Sequence, residues 1–150
     1  AERQGVDYMI VDTAPQSNNP AISAAEIADC ILVTCKPSVM DLRAVQNTIS
    51  LNQMAGLKPN ARVYMLLTMV EHFSKRASEE AASLLKQLSM NVLPAWMGHR
   101  VAYRHSLING QGVLEYEPSG KAAEEVRRIY EYVGKVSRKA EREQARKIAS

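Results

Sequence analysis

Cys30-Ile31-Leu32-Val33-Thr34, running into the turn signal Lys36-Pro37, is a short apolar run with no polar alternation. A strand buried on one face alternates apolar and polar residues, whereas an uninterrupted run bounded by a turn is the pattern of a strand covered on both faces, as in parallel sheets. Tyr8-Met9-Ile10-Val11 ending at Asp12 and Val63-Tyr64-Met65-Leu66-Leu67-Thr68 have the same character, and Asn91-Val92-Leu93 before Pro94 predicts a short fourth strand.

Helical patterns lie between these runs. Asn19-Pro20 supplies an N-cap followed by proline at the first helical position, opening a helix through about Ala28. From Asp41 to Ala55, Leu42, Val45 and Ile49 share a face and Gly56 provides the stop. Ala77, Ala81, Leu84 and Leu88 repeat at helical spacing, as do Ala122, Val126, Ile129, Val133 and Val136. Alternating strands and helices predict an α/β fold, an open, mostly parallel sheet flanked by helices with right-handed crossovers. One domain over residues 1–133 is expected, with 134–150 as a basic helical extension or tail.

Composition agrees with a packed domain. The chain has 150 residues, 46% of them hydrophobic and 23% charged, which argues against disorder. No apolar run approaches the length of about 18 residues needed to span a bilayer, and the opening AERQGVDY lacks the design of a secretory signal, so a cytoplasmic location is expected. Because the sequence begins with Ala1 and enters an apolar run almost at once, it reads as a fragment of a longer protein. Net charge is +3, yet from Gly134 to Ser150 six Lys/Arg face two Glu, giving +4 there and −1 elsewhere. Such a tail suits acidic partners, and it equally suits a solvated helix. Two cysteines, Cys30 and Cys35, are too few for a disulfide framework or a structural zinc site and read as buried thiols.

Ligands of parallel sheets bind at the carboxyl ends of the strands, which directs attention to Asp12-Thr13-Ala14-Pro15-Gln16-Ser17. An aspartate ending a buried strand is costly unless it holds a cation or hydrogen-bond donors, and a turn-forming role is an equal alternative. Gly120-Lys121 looks like the end of a phosphate-binding loop but fails the pattern: Glu115 and Ala122 stand where Gly and Ser or Thr are needed, so the pair is read as a helix start. His72, His99 and His105 form no metal-ligand motif, and Ser17, Ser38 and Ser106 lack the Gly-x-Ser-x-Gly elbow. In Gly98-His99-Arg100-Val101-Ala102-Tyr103-Arg104-His105, a helix would set Arg100 and Arg104 one turn apart on one face, able to meet nucleic-acid phosphates or simply solvated.

Several segments in order carry a resemblance. Asp7 to Pro15, Ala28 to Val33, and Lys36-Pro37-Ser38-Val39-Met40-Asp41-Leu42-Arg43-Ala44, followed by Tyr103 to Leu107, Gly110 to Val113 and Glu115 to Glu125, resemble the ParA/MinD group of deviant P-loop ATPases, specifically ParA-type partition proteins, over residues 6 to 133. The resemblance implies a partial P-loop NTPase fold in which Asp12 is the Walker B aspartate acting on Mg²⁺ through water, and Thr13 to Pro15 begin the loop beside the γ-phosphate of ATP. It implies ATP-dependent homodimers, a ParB-like partner that stimulates hydrolysis, nonspecific DNA binding to which Arg100 and Arg104 are assigned by position, and a role in positioning plasmids, chromosomes or other cargo. Thr68 stands where many members carry an adenine-holding Asn.

The Lys-Gly-Gly-x-Gly-Lys-Thr loop of that family is not in this sequence, so ATP hydrolysis is expected of a longer parent and this chain alone is expected to be inactive. Two other readings compete: a non-catalytic relic keeping the fold for protein or DNA contacts, and a MinD-like membrane-positioning ATPase. From Arg138 to Ser150 only Ala140, Ala145, Ile148 and Ala149 are apolar, too thin a face for a membrane helix, so no membrane partner is expected.

Overall fold

A computed structural model of the chain describes residues 6, 8–13, 18–38, 41, 62–71, 75–87 and 90–148, with side chains described no further than 137. In chain order these form α1 (Asn18–Ile27), β1 (Cys30–Cys35), β2 (Arg62–Val70), α2 (Lys75–Gln87), β3 (Val92–Gly98), α3 (Val101–Ile108), α4 (Val113–Tyr116) and α5 (Lys121–Ile148). The three strands pair in sequence order, β1-β2-β3, and both pairings are parallel. Cys30 lies opposite Arg62 and the ladder runs in register to Cys35 opposite Leu67.

The central strand explains why the sheet is covered on both faces. Tyr64, Met65, Leu66 and Leu67 are consecutive and all buried, so successive side chains supply opposite layers. Met65 and Leu67 pack with Ala81 and Leu85 of α2, while Tyr64 and Leu66 pack with Leu93, Ala95 and Val136 of α5. Tyr132 adds an edge-on ring contact to Tyr64, 5.6 Å between centroids. The open parallel sheet with flanking helices expected from the sequence is thus present in three strands.

Several details differ from expectation. Tyr8 to Val11 form no strand: residues 8–13 are exposed and unpaired with the sheet, and Ile10 is 93% exposed. An apolar run becomes a strand only where another strand meets its backbone N–H and C=O groups, and among the described residues β1 is paired with β2 alone. Tyr8 instead meets Tyr130 of α5 edge-on at 6.4 Å. On α2 the buried line is Ala81 and Leu85, with Leu84 38% exposed, one residue round the helix from the spacing expected.

β3 runs through Pro94 rather than stopping before it. Its register against β2 shifts between Met65 opposite Val92 and Leu67 opposite Trp96, an irregularity that accommodates a residue without an N–H. The long helix α5 runs without a break from Lys121 to Ile148, and Val136 belongs to the core. The helix expected from Asp41 to Ala55 lies outside the described residues apart from its start, where Ser38 Oγ accepts from the Asp41 backbone N–H at 3.2 Å and donates to Asp41 Oδ2 at 2.6 Å.

A candidate site at the carboxyl ends of the strands

The ends of β2 and β3 are held together by His99 N–H, which donates to Val70 C=O at 2.8 Å. Just before this point β2 contains a bulge. Between Leu67 opposite Trp96 and Val70 opposite Gly98 it advances three residues while β3 advances two. Met69 takes up the excess in the left-handed region, with φ 55. The bulge turns Val70 into the core and brings Glu71 beside His99, whose Nδ1 is 2.8 Å from Glu71 Oε1 in an exposed pair.

Behind this edge sits a carboxylate with four donors. Alanines 122 and 123, both fully buried, let the first turn of α5 approach β3 closely, which carries Glu125 inward to 9% exposure. Glu125 Oε2 accepts from the Gly98 backbone N–H at 3.0 Å and from Tyr103 Oη at 2.9 Å. Glu125 Oε1 accepts from Arg100 Nε at 2.8 Å and Nη2 at 2.6 Å. Each oxygen therefore has its own pair of donors, the condition under which a buried carboxylate is tolerated. The carboxylate raises Arg100 further above its usual value. Burial, followed by the bond to Glu125, pushes the Tyr103 phenol well above the ordinary phenol range.

In front of Arg100 opens a cleft of about 530 Å³, lined by His99, Arg100, Glu117, Ser119 and Lys121 among others. At the end of β1, burial pushes the Cys35 thiol up, and Thr68 Oγ1 makes a long contact to the Cys35 carbonyl at 3.4 Å. Cys30 is likewise pushed up, chiefly by burial.

Among the described residues, those singled out in the sequence lie apart. Asp12 and Thr13 are exposed and outside any strand, so the burial that would make Asp12 costly without a cation is absent. Pro15, Ser17 and His72 lie outside the described residues. Arg100 is not a helical neighbour of Arg104: it is the extended N-cap residue of α3, φ −121 and ψ 138, and its guanidinium turns back to Glu125. Arg104 stands exposed on α3. Ser106 is buried and donates to Tyr103 C=O at 3.1 Å, a packing role. Lys121 begins α5, as read.

Glu125 was not singled out in the sequence, and neither was Glu71. The one available signal for Glu125 was a charged residue within the apolar line of α5. Among the described residues no group of three or more His, Cys, Asp or Glu is placed to hold a metal ion. No helix among the described residues is long and apolar enough to cross a membrane.

Fold and site define an α/β protein with an open parallel sheet and a polar cleft at its carboxyl edge. Compared with known protein families and with curated proteins, the sequence matches none.

Proposed function

We propose that this chain is the carboxyl-terminal part of a ParA-like partition ATPase, a cytoplasmic protein that positions plasmid, chromosome or other cargo through ATP-dependent homodimerisation, nonspecific DNA binding and a ParB-like partner. One observation carries the reading. Among the described residues, β1 has a sheet neighbour on one side only, and the apolar run Tyr8–Val11 is exposed and pairs with no strand. A parallel strand from the rest of the protein, set between them, would satisfy both backbones and return Asp12 to a strand end, where an Mg²⁺-organising carboxylate belongs.

In the parent, ATP and Mg²⁺ bind where that added strand delivers a P-loop, and this chain's part is to supply Asp12, Thr13 and Pro15. DNA contact falls to Arg104 and the basic stretch after Val136, because Arg100 is neutralised by Glu125. The test is ATP turnover by the longer protein in wild-type form and as Asp12→Ala. The reading expects a large loss in the variant. Unimpaired turnover removes Asp12 from the site.

The second reading, a non-catalytic relic of the fold that binds protein or DNA, is favoured by the exposure of Asp12 outside any strand. A longer protein that binds no ATP at all would decide for it.

A further inference from the structure

The two oxygens of Glu125 are divided between different tasks. Oε2 fixes backbone and scaffold, at Gly98 N–H and Tyr103 Oη, and Oε1 is given wholly to the guanidinium of Arg100. The arrangement leaves the Arg100 side chain 26% exposed, against 11% for Glu125, so the pair is open on the arginine side. Arg100 lines the cleft there, and Lys121 is another of its lining residues. Arginine N–H groups donate to carboxylate and phosphate oxygens in the same planar geometry, so an incoming phosphate can take the place of the carboxylate.

We propose that Glu125 is an intramolecular stand-in for an anionic ligand: it keeps the Arg100 guanidinium out of service until a phosphate oxyanion in the cleft, held also by Lys121, competes for it. Glu125 is then a positioning residue. Because Oε2 keeps its two donors when Arg100 leaves, the end of β3 stays fixed during the exchange. This inference stands apart from the ATPase reading, since it concerns only side chains present in this chain and needs no P-loop.

The test uses inorganic pyrophosphate as the probe and ¹⁵N-labelled chain. In the wild type, the Arg100 Nε–H signal should be protected from solvent exchange. Glu125→Gln retains a carbonyl oxygen for Gly98 N–H and Tyr103 Oη but turns an amide NH₂ toward Arg100, donor against donor. In that variant the Nε–H signal should lose protection and pyrophosphate should bind about tenfold more tightly, the scale of one recovered charge-assisted contact. Adding Arg100→Gln to Glu125→Gln should remove the gain.

Parallel titrations with ADP and with a short DNA duplex distinguish the source of the phosphate, because the gain will appear for whichever the cleft admits. A purely structural ion pair predicts lost stability with no gain in affinity. Equal pyrophosphate affinity in wild type and Glu125→Gln overturns the proposal, as does a gain that survives removal of Arg100. Should Glu125→Gln fail to fold, the wild-type spectrum still decides: a solvent-exchanging Arg100 Nε–H before any ligand is added also overturns it.

Discussion

Arg100 and Glu125, 25 residues apart in sequence, form a two-bond pair in which Nε and Nη2 of one guanidinium converge on a single carboxylate oxygen at 2.8 and 2.6 Å. The pair ties Arg100, between β3 and α3, to the second turn of α5. Both side chains are largely withdrawn from water, so removing one partner leaves the other charge uncompensated. Glu125→Ala should cost about 3 kcal/mol in chemical denaturation, the range for breaking a buried pair. A loss below about 1 kcal/mol would place it among surface pairs.

Gly98 and Gly110 should respond differently to substitution. A Cβ at Gly98 would lie 3.2 Å from both Arg100 Nε and Glu125 Oε1, so Gly98→Ala should destabilise by about 1–3 kcal/mol through crowding of that pair. Gly110 has open space around it but φ +66 at the end of α3, so Gly110→Ala should cost about 1 kcal/mol for backbone conformation alone. Asparagine, which tolerates the left-handed region, should be better accepted than alanine at Gly110 and worse at Gly98. Equal ranking at both positions, read from denaturation midpoints, would contradict this.

Leu84 and Leu85 are adjacent, 38% and 0% exposed respectively. Leu85→Ala should cost about 2–5 kcal/mol, as large-to-small changes in a packed core do. Leu84→Ala should cost about 0.5 kcal/mol or less, as exposed positions do. The reverse order would show that α2 packs by the face that the Ala77, Ala81, Leu84, Leu88 spacing suggests.

That comparison also shows where the sequence is legible. Tyr64 to Leu67 could be read as a two-sided strand because burial of consecutive residues depends only on the local run, and three strands and α5 follow from similar patterns. Tyr8 to Val11 is an equally good local run, but a strand is made by its neighbour, which no run of residues specifies. Helix faces are harder again: Leu84 and Leu85 differ by one position, about 100° of rotation, and the choice is made by the sheet beneath. The Glu125 hub was illegible because its partners meet only after β3, α3 and α5 have packed. Arg100 was misplaced for a related reason: helical spacing assumes a helix, and α3 begins one residue later.

Alkaline pH should weaken the fold through Tyr103. Its phenol is raised above the unfolded value by burial and by the bond to Glu125, so the folded state holds the proton more tightly than the unfolded state. The resulting stability is fully present below the ordinary phenol value, about 10, and is lost as pH rises through the higher folded value. The thiols of half-buried Cys30 and buried Cys35, also raised, act in the same direction. Denaturation midpoints should therefore fall with rising pH, and Tyr103→Phe should make that fall shallower. An unchanged slope in the variant would contradict the role given to this phenol.

Nonspecific DNA binding, if carried as proposed, should depend on Arg104 and the basic end of α5 rather than on Arg100. Arg104→Ala should lower the slope of log affinity against log salt by about one unit, whereas Arg100→Ala should leave it nearly unchanged because that charge is already paired. Truncation should be made after Ser137, since Val136 belongs to the core. Loss of binding on truncation, with Arg104→Ala binding normally, would assign the contact to the tail alone.

The proposal that this chain completes a ParA-like nucleotide domain is tested by amide hydrogen exchange at Tyr8 to Val11, compared between this chain alone and a longer protein that carries the P-loop. The account predicts rapid exchange in the chain alone and strong protection in the longer protein, rising further with ATP and Mg²⁺, as these residues become a paired strand ending at Asp12. Rapid exchange in both, unaffected by nucleotide, would contradict it.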